Sequence, residues 1–241
     1  MRLTPRLYLV GSGEVGLSDP DDCHIYLLDG GGEYALIDAG CGTERSVAGI
    51  LATIEREGLD PARLRTVILT HCHFDHAAGA SIFRERFGCQ VVAPAGERAF
   101  IEGGRDSVRP SVVDRAVEDG DTIQVGALTL TAHCVPSHSE ATTAYRVDTP
   151  EGRLLFAGDI VFANGVIGLI NHPGSDLTNY RDNIGRLAGL GIDALLPGHL
   201  VFTLGNGQRH IDVAIRRLTT EGFVPYSIGQ SAVSFFPMGL T

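Results

Sequence analysis

Apolar and polar positions along the chain predict an alternating succession of strands and helices in two halves of similar style. Early in the chain, Ile25–Leu28 and Tyr34–Ile37 flank Asp29-Gly30-Gly31-Gly32, a β-hairpin signal. A helix is predicted over Glu44–Glu57, where Val47, Ile50, Leu51 and Ile54 recur at three- and four-residue spacing. Gly58 stops it, and Asp60-Pro61 opens a short connection. Thr66-Val67-Ile68-Leu69 is a continuous apolar run, as expected of a strand buried on both faces. A histidine-rich segment and a predicted helix, Ala80–Phe87, follow it. Further strands are predicted at Gln90–Ala93, Thr122–Val125, Leu128–Ala132, Ala141–Val147, Arg153–Phe156 and Ala194–Leu196. Helices are predicted at Asn179–Ala188 and His210–Leu218. In each half a buried strand runs into a histidine, His71 or His199, at the strand end where open α/β sheets place their sites. No linker or low-complexity stretch interrupts the 241 residues, so a single domain over 1–241 is expected. Its tail, 221–241, carries Phe223, Tyr226, Phe235 and Phe236 and is expected to pack on its own domain or on a second copy in a homodimer.

Composition narrows the partners. The formal charge is −10, and all 19 basic residues are arginines with no cluster larger than Arg216-Arg217. Nucleic-acid binders present a basic face to phosphates, so nucleic acid is disfavoured and a small-molecule substrate is expected. Five cysteines, odd in number and without a C-x-x-C pair, point to a reducing compartment. The N-terminal residues hold no apolar signal region, and no window reaches the roughly 18–20 apolar residues of a membrane span. A cytoplasmic protein without membrane association is the expectation.

His71-Cys72-His73-Phe74-Asp75-His76 places four metal-ligating side chains within six residues. While the chain is extended, His71 and His73 project to one side. A turn would bring Asp75 and His76 toward a neighbouring point. Imidazoles with a carboxylate match the nitrogen and oxygen set that zinc prefers, and their division suggests two ions.

This H-x-H-x-D-H segment after an apolar strand resembles the signature of the metallo-β-lactamase superfamily, and four further motifs resemble the family's in order. They are Leu36-Ile37-Asp38-Ala39-Gly40, Pro136-Ser137-His138-Ser139, Phe156-Ala157-Gly158-Asp159 and Pro197-Gly198-His199. Together the match covers about residues 6–218. The resemblance implies an α+β fold, a four-layer αββα sandwich of two mixed sheets with helices outside. It also implies a ligand set in which His71, His73 and His138 hold one ion, Asp75, His76 and His199 the other, and Asp159 bridges them. Two zinc ions are the expected cofactors, with iron or manganese as alternatives. The third motif departs from the family: Ser137 and Glu140 stand where glycine and proline are usual, which changes the loop's freedom and puts Glu140 near the ligands. His133, in the strand before it, competes with His138 as the ligand. Asp38 reads as a turn-forming carboxylate behind the ligands, His24 and His172 as residues lining a substrate pocket, Cys72 as a packed thiol and His210 as a cap.

The implied chemistry is hydrolysis by a water shared between two metal ions, with Asp75 orienting it or accepting its proton. There is no G-x-S-x-G and no G-x-x-x-x-G-K-[ST]. A small ester, lactone or thioester is the expected substrate. The alternatives are a β-lactamase or phosphodiesterase, or a persulfide dioxygenase holding a single iron through His71, His138 and Asp159.

Overall fold

The computed structural model describes residues 1–105 and 108–221. Apart from Glu221, the tail for which the sequence predicts packing or dimerisation lies outside the described residues. The first sheet runs β1 (Leu7–Gly11), β2 (Ile25–Asp29), β3 (Tyr34–Ile37), β4 (Leu64–Ile68), β5 (Gln90–Pro94), β6 (Arg115–Val117). Its β1–β2 and β2–β3 junctions are antiparallel and the remaining three are parallel. The second sheet runs β11 (Ala194–Pro197), β10 (Gly152–Gly158), β9 (Thr143–Thr149), β8 (Leu128–Cys134), β7 (Thr122–Val125). Here only β10–β11 is parallel.

Side-chain alternation along each strand builds the layers. In β2, Ile25 and Leu27 join a core beneath α1 (Glu44–Arg56) and α3 (Ala80–Phe87), while Tyr26 and Leu28 face the opposite sheet. In β10, Leu154 and Phe156 enter that inter-sheet core. Leu155 and Ala157 join a third core with α5 (Leu177–Asn183) and α6 (Gly207–Thr219). Three apolar layers separated by two sheets give the four-layer αββα sandwich, and they explain the unbroken apolar runs of the central strands.

Some boundaries differ from the sequence expectation. The helix expected at Asn179–Ala188 begins earlier, because Asp176 caps it by accepting from Asn179 N at 2.9 Å. It then tightens into a 3-10 turn, Ile184–Leu187, that buries Ile184 and Leu187 in the third core. β4 stops at Ile68 because Asp38 captures the Thr70 backbone N–H at 2.8 Å and draws the chain out of the ladder. Two short helices, α2 (Phe74–Ala77) and α4 (Arg98–Gly103), and the edge strand β6 were not expected. All five cysteines are free. Among the described residues no helix is long and apolar enough to cross a membrane.

Candidate metal centre

The two sheets deliver their histidines to one edge of the sandwich. After β4, the chain remains extended through His71 and His73, and His73 (φ −66°, ψ 153°) is the residue that opens α2. That single turn of helix turns Asp75 and His76 inward. From the second sheet come His138 after β8, Asp159 after β10 and His199 after β11.

His71, His73 and His138 form one group of converging donors, and Asp75, His76 and His199 form another. His73 Nδ1 lies 3.0 Å from His71 Nε2 and 2.9 Å from His138 Nε2. Asp159 stands between the groups. Its Oδ1 is 3.5 Å from His76 Nε2, and its Oδ2 is 3.5 Å from His199 Nε2 and 3.6 Å from His138 Nε2. Asp75 Oδ2 lies 3.0 Å from His199 Nε2. His71 and His76 are fully buried, His73, His138 and Asp159 nearly so.

The outer side of each ring fixes which nitrogen faces inward. His71 Nδ1 donates to Thr70 Oγ1 at 2.9 Å, and that hydroxyl donates to Asp38 at 2.9 Å. His76 Nδ1 donates to Asp38 Oδ2 at 2.8 Å, and His138 Nδ1 donates to the Gly168 carbonyl at 2.5 Å. Their Nε2 atoms therefore point into the site. Asp38 occupies the left-handed region, at φ 62°, to make these contacts. Among the described residues, His73 Nε2, His76 Nε2 and Asp159 Oδ1 are buried without a hydrogen-bond partner.

Burial first, and neighbouring imidazoles second, hold His71 well below the ordinary histidine range and push His73 down to about 2. Burial also lowers His138. These rings stay neutral, with lone pairs aimed at one another rather than at protons. In the second group burial opposes charge, but Asp159, Asp75 and Glu14 prevail and hold His199 up at about 10. His76 is likewise raised, by Asp75, Asp159 and Asp38 with Cys23 against its burial, and the carboxyls of Asp75 and Asp159 are lowered despite burial by the facing imidazoles. A set of neutral imidazoles whose inward nitrogens converge on one another, beside a mixed imidazole and carboxylate set in which His76 Nε2 and Asp159 Oδ1 lack partners, fits divalent metal ions. Nitrogens bound to one tetrahedral zinc would stand about 3.3 Å apart, close to the spacing of the first group.

The other expected residues divide. Asp38 lies directly behind the ligand candidates. His133 stays in β8, opposite Ala144, away from both groups. His172 lies against His73, ring centroids 4.7 Å apart and edge to face. His24 is held within the fold behind His199. It is buried, with Nδ1 against Ser12 Oγ at 2.9 Å and Nε2 on the Leu200 carbonyl at 2.7 Å, so both nitrogens are committed to structure. Glu140 Oε1 accepts from Arg105 at 2.9 Å, its Oε2 is buried without a partner, and it packs under Gly174 beside Cys72 and Glu97. Cys72 is buried, and burial together with Glu97 pushes its thiol far above the ordinary range, so it stays a thiol. Sequence reasoning missed Thr70, Gly168, Glu14 and Tyr180, whose hydroxyl donates to the Asp159 carbonyl at 3.1 Å. It also missed Glu97, which is buried and accepts from Ser139 Oγ and Ala141 N to shape the His138 loop. Only Thr70, next to His71, carried a local signal.

Comparison with known proteins agrees with this fold. The family model described as metallo-beta-lactamase superfamily matches residues 18–199. The chain is 28% identical over 201 residues to an atrochrysone carboxyl ACP thioesterase of Aspergillus fumigatus, covering 82% of this chain and 56% of that protein. It is 38% identical over 96 residues to a hydroxyacylglutathione hydrolase of Hyphomonas neptunium, covering 40% of this chain and 33% of that protein. The chain thus spans about half or less of the length of these curated relatives. A subclass B3 metallo-beta-lactamase of Bradyrhizobium japonicum superposes with a TM-score of 0.71 at 24% identity, over 89% of this chain and 88% of that one.

Proposed function

Because this chain belongs to the metallo-beta-lactamase superfamily, we propose that it is a hydrolase that uses two metal ions, zinc in the first instance, to cleave a small ester, lactone or thioester. The observation that carries this reading is the set of inward ring nitrogens whose opposite nitrogens are already tied to Thr70, Asp38 and Gly168. His71, His73 and His138 would hold one ion, and Asp75, His76 and His199 the other, with Asp159 reaching both. Nitrogen-rich and mixed sets of this kind suit zinc, and the carboxylate-bearing set also suits iron or manganese. When bound, the ions supply Lewis acidity, making a water reactive near neutral pH and polarising the oxygen of the bond to be cleaved.

The chain's own residues orient and exclude. Asp75 Oδ2, beside His199 Nε2, is positioned to orient a water and accept its proton. Asp38 holds His76, and through Thr70 also His71, in the tautomer that leaves Nε2 free. His172, edge-on to His73, would line the substrate pocket beside the first group. The relatives named as a thioesterase and as hydroxyacylglutathione hydrolases favour an acyl thioester within the proposed class. The mononuclear-iron alternative would use only His71, His138 and Asp159, and would leave the converged group of Asp75, His76 and His199 without a ligand role.

Elemental analysis of protein purified without chelator tests the reading, together with assays on acyl thioesters, lactones, phosphodiesters and β-lactams. About two zinc ions per chain with thioester or lactone turnover is the expected result, and Asp159→Ala should lose metal and turnover together. One iron per chain with oxygen uptake on persulfides would overturn it, and so would full metal and full activity in Asp159→Ala.

A further inference from the structure

The strand that ends in Pro197 hands over to four residues, Pro197-Gly198-His199-Leu200, each held by the N-terminal part of the chain. Tyr26 Oη donates to the Pro197 carbonyl at 2.9 Å, and His24 N donates to the Gly198 carbonyl at 2.6 Å. Glu14 Oε1 lies 3.6 Å from His199 Nδ1, on the side of the ring away from the metal candidates. The Leu200 N–H donates to both oxygens of Glu14, at 2.9 and 3.0 Å. The Leu200 carbonyl accepts from His24 Nε2 at 2.7 Å, and His24 is itself fixed by Ser12 Oγ.

Leu200 is one of four non-glycine residues at positive φ among the described residues, at 62°. A Cβ-bearing residue adopts that region only where its surroundings enforce it. Packing is not what enforces it, since the Leu200 side chain is 38% exposed. What holds the conformation is the capture of both backbone groups, one by Glu14 and one by His24. The left-handed turn at Leu200 directly follows His199, so it fixes the direction from which that imidazole enters. Glu14 also lies 3.6 Å from the far nitrogen of the same ring, an ion-pair approach of the carboxylate–histidine kind that orients metal-ligating imidazoles.

We propose that Glu14 is a positioning residue that, with His24, clamps Leu200 in its left-handed turn and so sets the orientation of His199 and the affinity of the second metal position. The proposal rests on the two-ion reading above. It gives the N-terminal residues a function in the site: Glu14 and His24 act on a ligand that lies 185 and 175 positions later in the sequence.

Glu14→Ala and Glu14→Gln test the clamp. Glu14 is 40% exposed, so neither change opens a cavity, and circular dichroism of the metal-free proteins checks the fold. Zinc is titrated in competition with a chromophoric chelator, and cobalt absorption reports each site's ligand geometry. Glu14→Ala should weaken the second ion by about 10–100-fold while leaving the first unchanged, with an altered cobalt spectrum only on the second equivalent. Glu14→Gln retains an oxygen for the Leu200 N–H and should recover part of that loss. Two ions bound as tightly in Glu14→Ala as in the unchanged chain would overturn the clamp alone. Equal weakening of both ions would also overturn it, by showing a general loosening. An unchanged chain that takes up no second ion would overturn both the two-ion reading and the clamp.

Discussion

A methyl group placed on Gly198 would stand 2.5 Å from Asp159 Oδ1 and 2.5 Å from His76 Cε1. Neither neighbour can retreat, because Asp159 is wedged between the two ligand groups and His76 is pinned by Asp38. Gly198→Ala should therefore leave a folded protein that has lost the second ion, read as one metal per chain by elemental analysis. At Gly168 the obstacle is backbone: the methyl would stand 2.0 Å from the Asp159 carbonyl and 2.8 Å from His138 Nδ1. Gly168→Ala should accordingly lower the thermal midpoint as well as displace His138 from the first group. Asp38 gives a third case. It accepts from Thr70 N, Thr70 Oγ1 and His76 Nδ1, so Asp38→Asn turns one acceptor into a donor among buried donors. That should cost about 1–3 kcal/mol in denaturant unfolding of the metal-free protein. At this scale the candidate ligands were legible because they occur in short motifs beside apolar runs. Their supporters were not. Glu14 meets His199 across 185 residues and Tyr180 meets Asp159 across 21, and no local pattern marks such pairs. His24 is a similar case: nothing beside it in the sequence marks that its two nitrogens meet Ser12 and Leu200.

Secondary-structure elements were legible where both faces of a strand or one face of a helix had to be apolar. β2, β3, β4, β10 and β11 all follow from such runs, and α1 follows from its three- and four-residue spacing. Elements defined by capping or by tertiary capture were not. α2 is a single turn forced by the approach of Asp75 and His76 to the site, and β6 is three residues at the sheet edge. What holds β6 in register is Asp114, whose carboxylate takes two hydrogen bonds from Arg84 of α3, at 3.0 and 2.9 Å, and one from Val91 N of β5 at 2.9 Å. These bonds, the Arg84 pair first, hold the Asp114 carboxyl below the ordinary aspartate range. A carboxyl lowered by folding stabilises the fold above its unfolded pKa, and that contribution is lost as pH falls through the folded value. Asp114→Asn should therefore lower the thermal midpoint at pH 7, modestly because the pair is partly solvated. The gap to the unchanged chain should close as pH falls below the ordinary aspartate pKa of about 3.9 and through the lowered folded value. A gap that stays constant into that acid range would assign the effect to packing instead of charge.

Across the whole molecule, the metal centre is also a junction. His71, His73, Asp75 and His76 follow the first sheet, whereas His138, Asp159 and His199 follow strands of the second, so each ligand group draws on both sheets. The inter-sheet core holds the layers through Tyr26, Tyr145 and Phe156, but at the site edge the facing groups are polar and buried. Without ions, that edge holds one inward nitrogen, His76 Nε2, without a partner and a carboxylate oxygen, Asp159 Oδ1, that accepts nothing. Ions bound there would stabilise the folded chain alone, because the ligand set is assembled only when the two sheets meet. At a free metal concentration a thousandfold above Kd, one site adds about 4 kcal/mol. For a chain of this size each kcal/mol moves the midpoint by roughly 2–4 °C, so saturating zinc at two such sites, about 8 kcal/mol together, should raise it by on the order of 20 °C over the chelated protein. The single-ligand variants divide that gain. His138→Ala removes a donor to the first ion from the second sheet, and His199→Ala does the same for the second ion. Each should keep one part of the zinc-dependent shift and lose the other, whereas Asp159→Ala should lose most of both. Equal midpoints with zinc and with chelator in the unchanged chain would mean that the sheets are joined by their apolar core alone, and that the converged donors do not hold ions strongly enough to matter for the fold.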